Sequence, residues 1–253
     1  MQVLRSRSEI DGARTELRRR RVSCTSTWPL RVLRALGLVN GISVGDHVKS
    51  WDILHTATFI QENVSRGSPI LDIGAYASEI LCVLHRLNYS ALTGVDLNPK
   101  IRLMPYADTI RYEVADFMCT RFADESFAAI TAISVIEHGF SNRPLLSEVS
   151  RLLRSGGYFI ASFDYWPDKI DTTGISIFGM DWRIFSETEV LAFLDEAQTY
   201  HLTSCGTVNL DANESIMQFA GKRYTFAWLA LQKSTVRGRG GNTARIPTAF
   251  RSE

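Results

Sequence analysis

The sequence predicts an α/β protein: a doubly wound, mostly parallel sheet of seven strands preceded by a helical extension. Three observations predict it. Five short apolar runs recur between residues 69 and 163, each closing near a glycine, a hydroxyl or an acidic residue. Segments of helical periodicity alternate with those runs. The runs are also short enough to be buried parallel strands, which read as continuous apolar stretches.

The elements follow in order. Residues 1–22 are arginine-rich, with Arg5, Arg7, Arg14 and the run Arg18 to Arg21 partly balanced by Glu9, Asp11 and Glu16. They predict a solvated surface helix or a frayed arm; contact with an anionic partner is the sharper alternative. Residues 23–68 predict amphipathic helices, one through Trp28, Leu30, Val32, Leu33 and Leu36 ahead of Gly37, another from about Ser50 to Asn63. Residues 1–68 thus form a helical N-terminal extension, expected to close over the site as a lid. Pro69–Ile73 is the first strand, and Ser78–Leu87 a helix with apolar positions 80, 81, 84 and 87. Strands are expected at Ala91–Val95, Ile110–Val114, Phe127–Val135 and Tyr158–Phe163. A helix over Leu145–Leu153 is expected to stop at Arg154-Ser-Gly-Gly157 through a glycine cap. Ser186 reads as an N-cap, with Glu187 and Glu189 in the first turn of a helix to about Ala197. Two β-rich stretches, Leu202–Leu210 and Tyr224–Gln232, are expected to form an antiparallel edge. The main domain is therefore 69–233, and the Gly- and Arg-rich segment 234–253 predicts a disordered tail.

Composition narrows the class. The 253 residues carry a net charge of +1 with 22% charged side chains, which gives no global reason to expect nucleic acid or a membrane surface as partner. Cys24, Cys82, Cys119 and Cys205 are scattered without metal-ligand spacing, so neither a disulfide framework nor a zinc site is expected, and a reducing cytoplasm fits. No run approaches the ~18 apolar residues of a membrane span, and no signal peptide is expected.

In a parallel α/β sheet, ligands bind beyond the carboxyl ends of the strands. There stand Asp72 and Gly74, Asp96, Asp116, Ser134 and Glu137, and Asp164. So many acidic strand ends around one crevice suit a ligand that is cationic or rich in hydroxyls.

These residues carry a resemblance. Ile70-Leu-Asp-Ile-Gly74 resembles the opening motif of the class I S-adenosylmethionine (SAM)-dependent methyltransferases, of the type 11 kind. Thr93-Gly-Val-Asp96-Leu-Asn98 is similar to their second motif, Ala115-Asp116-Phe117 to their adenine-contacting pair, and Ala129 to His138 to their fourth-strand motif. Glu148 to Gly157 resembles the helix and glycine turn before strand five, and Tyr224 to Gln232 the last strand. The motifs stand in family order. The resemblance implies a Rossmann-like methyltransferase fold, SAM as cofactor, and a small-molecule acceptor. It implies cofactor contacts from Asp72, Gly74, Ala75, Glu79, Asp96, Leu97, Asp116, Phe117 and Ser134. Asp96 would accept the ribose hydroxyls, Gly74 would allow close backbone approach, and the helix after the loop would point its N-terminus at the cofactor carboxylate. The chain departs from the family's D-x-G-x-G-x-G, having Tyr76 and Ser78 at the later glycine positions; Ser78 suits an N-cap. A dinucleotide fingerprint is excluded because G-x-G-x-x-G is absent. A nucleic-acid methyltransferase is disfavoured because Ser134-Val-Ile-Glu137 stands where an Asn/Asp-Pro-Pro-aromatic signature belongs.

An oxygen acceptor needs its proton removed. The candidate bases are His138 and Asp164 after their strands and His47 from the N-terminal extension. Tyr165, Trp166 and Trp182 are candidates to stack on an acceptor. The insertion Trp166–Phe185, with Asp168, Asp171, Phe178, Asp181 and Trp182, suits a carbohydrate-type hydroxyl; Asp164, Asp168 and Asp171 offer hard oxygen ligands for magnesium, but a solvated loop is the favoured reading and no metal is expected. The expected activity is O-methylation, against the alternative of a binding or scaffold protein of the same fold without turnover.

Overall fold

The computed structural model describes residues 1–25, 29, 32–33, 36–38 and 42–234. Trp28 and Leu30 of the first predicted extension helix, and the tail from residue 235, lie outside the described residues. The elements are β1 (Gln2–Val3), α1 (Arg7–Arg19), α2 (Ser50–Asn63), β2 (Ile70–Ile73), α3 (Ile80–Arg86), β3 (Leu92–Asp96), β4 (Arg111–Val114), β5 (Phe127–Ile133), α4 (Asn142–Leu152), β6 (Leu153–Tyr165), β7 (Ser176–Ile177), β8 (Met180–Asp181), α5 (Glu187–Thr199), β9 (Leu202–Ser204), β10 (Met217–Phe219) and β11 (Lys222–Lys233).

The apolar runs become the sheet. Its strands follow the order β1-β11-β6-β5-β2-β3-β4, with β9 and β10 also paired to β11. Strands β4, β3, β2, β5 and β6 run parallel, and β11 lies antiparallel to β6. The chain winds outward from β2 through β3 to β4, then returns to the other side of β2 for β5. The crevice between β2 and β5 is thus the topological switch point, where such sheets bind ligands. All four residues of β2 are buried, as a central strand covered on both faces requires.

The helices follow their expected chemistry. In α1, Ile10, Ala13 and Leu17 form one buried stripe, Ser6 caps the N-terminus by accepting from Glu9 N, and Arg18 and Arg19 sit at the carboxyl end. The stripe packs α1 onto α2, so this arginine-rich segment is an integral part of the fold and not a frayed arm. At α5, Ser186 and Glu189 complete a reciprocal capping box. No described helix is long and apolar enough to cross a membrane.

Four local expectations are corrected. The glycines at 156 and 157 do not cap a helix: α4 ends at Leu152 and Leu153 is already extended, so Arg154-Ser-Gly-Gly157 lies within β6. The physical need there is proximity, because a Cβ on Gly157 would lie 2.9 Å from Arg154 O and 3.0 Å from Ala128 O. The stretch 202–210 is strand only to Ser204, since the chain turns away through Gly206 at φ +75°. The final strand is not at the edge: β11 is flanked by β6 on one side and by β1 and β9 on the other. Finally, α3 begins at Ile80 with Glu79 in the cap position, so Ser78 precedes the cap and meets Ile80 N only at 3.4 Å.

Candidate cofactor and acceptor site

A cavity of about 730 Å³ opens at the carboxyl ends of β2, β3, β4 and β5. Its volume is in the range of small-molecule sites. Its first wall is the loop after β2, with Gly74, Tyr76, Ala77, Ser78 and Glu79. Gly74 holds φ +68°, and a Cβ there would collide with the Val135 side chain. The missing side chain therefore seats the loop after β5 against the loop after β2. This packing role stands beside the expected one of admitting a ligand to bare backbone, since Gly74 also borders the cavity.

The second wall comes from β3 and β4. Asp96 Oδ2 accepts from Tyr76 N at 3.0 Å and Oδ1 from Asn98 N at 2.8 Å. Each carboxylate oxygen keeps a further lone pair for a hydroxyl in the cavity. Tyr76, at a position where the family pattern has glycine, thus uses its backbone to orient the carboxylate. Leu97 lines the wall with 62% of its surface exposed. Asp116 accepts from Met118 N at 2.9 Å, which turns the chain so that Phe117 is buried while still bordering the cavity.

Three expected cofactor contacts are engaged by the protein itself. Asp72 is fully buried beneath the loop and does not line the cavity; Thr131 Oγ1 donates to it at 2.6 Å, and burial pushes its carboxyl up to about 7. Ala75 is buried with its N–H on Val95 O. Glu79 borders the cavity, but its oxygens are held by Arg14 Nη1 and Nη2, each at 2.9 Å, and by Cys24 N at 2.6 Å. It is committed to the N-terminal helix and is not available for a ligand's ammonium group.

The third wall gathers the ionisable groups. Ser134, at φ +57°, donates to Glu137 Oε1 at 2.6 Å and accepts from Lys49 Nζ. Lys49 Nζ also lies 3.9 Å from Asp164, 4.0 Å from Asp52 and 3.4 Å from the centroid of Phe226. Three buried carboxylates therefore surround one ammonium group. Burial pushes Asp52 and Asp164 up to about 7 and raises Glu137 as well, opposed by Lys49. Near neutrality this cluster holds protons in common.

His138 lines the cavity beside the cluster. Its Nε2 lies 4.0 Å from Glu137 Oε1, its Nδ1 is buried without a hydrogen-bond partner, and burial lowers its pKa. The other expected bases are placed differently. Asp164 lies behind the wall and accepts from Trp182 Nε1 at 2.7 Å. His47 is half exposed, pairs with Asp11 at 2.8 Å, and does not line the cavity. The three aromatic candidates are structural. Tyr165 is buried with its hydroxyl on Leu210 O, Trp182 packs against Phe219 and Tyr224, and Trp166 is half-buried against the core. Asp171 turns its own loop by accepting from Thr173 N, and no group of three or more potential metal ligands occurs among the described residues.

The aromatic and thioether side chains that border the cavity beside His138 are Phe178 and Met180, while Phe140 stands against Phe117. Of these only Phe178 is among the residues the sequence singles out, and Lys49 stands where the sequence points to His47. A usable signal existed: Lys49, Ile53, Thr56 and Ile60 share one helical face, and the last three are buried.

Comparison with known proteins agrees with this geometry. A family described as "Methyltransferase domain" matches residues 71–161. The methyltransferase GfsG of Streptomyces halstedii is 27% identical over 103 residues, covering 38% of this chain; the chain thus spans about 37% of that relative's length. A SAM-dependent methyltransferase of Methanosarcina mazei superposes with a TM-score of 0.52 at 18% identity, covering 70% of this chain and 97% of that one. Geranyl diphosphate C-methyltransferase of Streptomyces coelicolor A3(2) gives 0.51 at 17% identity, covering 71% and 78%. The [4+2]-cyclase SpnF gives 0.54 at 12% identity, covering 78% and 84%. With motif order, strand order and family match in agreement, residues 71–161 are similar to a methyltransferase domain, and the fold around them is that of the class I SAM-dependent methyltransferases.

Proposed function

We propose that the protein transfers a methyl group from SAM to a hydroxyl of a small molecule, with His138 as the base. The observation that carries this reading is the placement of His138 on the wall of the same cavity that Asp96 borders. The residues fit the cofactor: Asp96 has lone pairs to spare for two ribose hydroxyls, and Asp116 with Phe117 offers a polar edge and an apolar wall for adenine. When bound, SAM supplies an electrophilic methyl carbon and a sulfonium charge.

The remaining chemistry belongs to the chain. Lowering of its pKa by burial keeps His138 neutral at physiological pH, so it can accept the acceptor's hydroxyl proton as the oxygen gains the methyl group. The imidazolium so formed lies beside the carboxyl cluster, where charge on Asp164 favours it. Lys49 offsets part of that charge and fixes Ser134. Ser43, Gly45, Asp46 and Lys49 carry the N-terminal extension onto the cavity, which supports its role as a lid that excludes water.

Calorimetric titration tests the cofactor half: SAM should bind, and Asp96→Ala should abolish binding, whereas unchanged affinity in that variant removes the site assignment. A second reading, a protein of this fold that does not transfer methyl groups, is favoured by one feature: the loop's Glu79 is already neutralised by Arg14. Release of S-adenosylhomocysteine in the presence of a pooled set of hydroxyl acceptors separates the two.

A further inference from the structure

Residues 176–181 form a hairpin at the cavity mouth. β7 and β8 pair antiparallel, and the two-residue turn between them is Phe178-Gly179, at φ +56° and +79°. Two positive φ values define a turn that favours Asn-Gly or Asp-Gly. A bulky side chain at the first position is an outlier. Phe178 is also 87% exposed, the most exposed large apolar side chain among the described residues. Strained positions of this kind cluster at ligand-binding sites.

The hairpin is tied to the catalytic loop. Trp182 bridges to His138, Arg183 N donates to Glu137 O at 3.0 Å, and Trp182 Nε1 holds Asp164. The Phe178 ring stands edge-to-face to the His138 imidazole, with centroids 5.9 Å apart. Met180 borders the same end, against Gly139, whereas the Phe140 ring stands 5.7 Å from that of Phe117. This end of the cavity is therefore apolar on one side, while Lys49, Ser134 and His138 gather on the other.

We infer that Phe178 is a specificity-determining residue, and that the acceptor is an aryl alcohol: a flat aromatic ring lying against Phe178, with its hydroxyl turned to His138. This rests on the methyl-transfer reading and names its substrate class. A sugar gains no hydrogen bond to its hydroxyls from Phe178 or Met180. A ring with a single hydroxyl meets both sides of the site, and offset or edge-to-face contact with Phe178 adds to its burial.

The test uses the full chain with S-adenosylhomocysteine bound and three probes: 2-naphthol, 1-decanol and methyl α-glucoside. Wild-type protein should bind 2-naphthol in preference to the other two. Phe178→Asn, which suits the turn and removes the ring, should weaken 2-naphthol roughly tenfold. It should not lower the melting temperature, since Asn suits the turn, and should leave the S-adenosylhomocysteine affinity unchanged. Phe178→Tyr should retain binding. Equal affinity of Phe178→Asn and wild type for 2-naphthol overturns the assignment of Phe178. Preference for 1-decanol or the glucoside overturns the aryl class. A protein that takes S-adenosylhomocysteine but not 2-naphthol fails the acceptor inference alone; one that takes neither fails the methyl-transfer reading with it.

Discussion

Arg14 and Glu79, sixty-five positions apart, face each other through two parallel hydrogen bonds of 2.9 Å with 1% of each side chain exposed. This pair joins the N-terminal helix to the loop that borders the cavity. Arg14 is further held by Ser50 Oγ at 2.8 Å, Ser23 Oγ at 2.9 Å and Asp46 O at 3.1 Å. Removing one partner of a buried pair strands the other charge and costs about 3–5 kcal/mol. Arg14→Met should therefore lower the melting temperature by roughly 10 °C. Adding Glu79→Gln should recover part of that loss, because the stranded charge is gone. Equal melting of the single and double variants in thermal denaturation would show that the charge is not what matters.

The carboxylate cluster gives stability a pH dependence of defined sign. Asp52 is fully buried, neither of its oxygens has a hydrogen-bond partner, and burial pushes it up to about 7 from an ordinary 3.8. An acid whose folded pKa is raised binds more protons folded than unfolded, so its contribution is favourable at low pH. That contribution is lost as pH rises from about 4 to about 7. Asp52→Asn should flatten the melting-temperature profile across that window and raise stability at pH 8, by an amount on the order of 1–3 kcal/mol. Melting curves in a buffer series from pH 4 to 8 measure it. A variant curve parallel to wild type contradicts the assignment.

For catalysis the relevant titration is that of His138, whose pKa is lowered by burial. Its neutral form is the competent base. With SAM and an accepted hydroxyl, kcat/KM should rise with pH on an acid limb lying below the usual histidine range. His138→Gln should lose about 10²–10⁴-fold in rate while keeping SAM affinity, the range expected of a positioned general base. Retention of both the acid limb and the rate in that variant would assign the proton transfer elsewhere.

The strand ends were legible in sequence because a buried parallel strand is a continuous apolar run and its ligand-facing residue follows it directly. That logic placed Gly74, Asp96, Asp116, Ser134 and His138 at one cavity. It failed where burial depends on long-range packing. Trp182 and Tyr165 look like stacking platforms in sequence, yet Trp182 donates to Asp164 and Tyr165 to Leu210 O inside the core. The engagement of Glu79 by Arg14 was invisible for the same reason, since a partner sixty-five residues away leaves no local signal. The glycines at 156 and 157 misled in another way. A helix cap and a tight strand crossing both call for glycine, and only the approach of Ala128 O distinguishes them.

Gly74 separates packing from ligand access in one experiment. Its φ of +68° and the Val135 side chain against its Cα together exclude a Cβ. Gly74→Ala meets both a backbone penalty of about 1 kcal/mol for a left-handed residue and a steric one from overpacking of about 1–3 kcal/mol. Val135→Ala removes the obstructing methyl groups but not the backbone penalty. The double variant Gly74→Ala/Val135→Ala should therefore recover the steric part of the stability lost in Gly74→Ala, measured by denaturant midpoint. If the glycine serves chiefly to seat Val135, SAM affinity should recover with stability. If affinity stays low in a restabilised double variant, the bare backbone at Gly74 is itself what the cofactor requires.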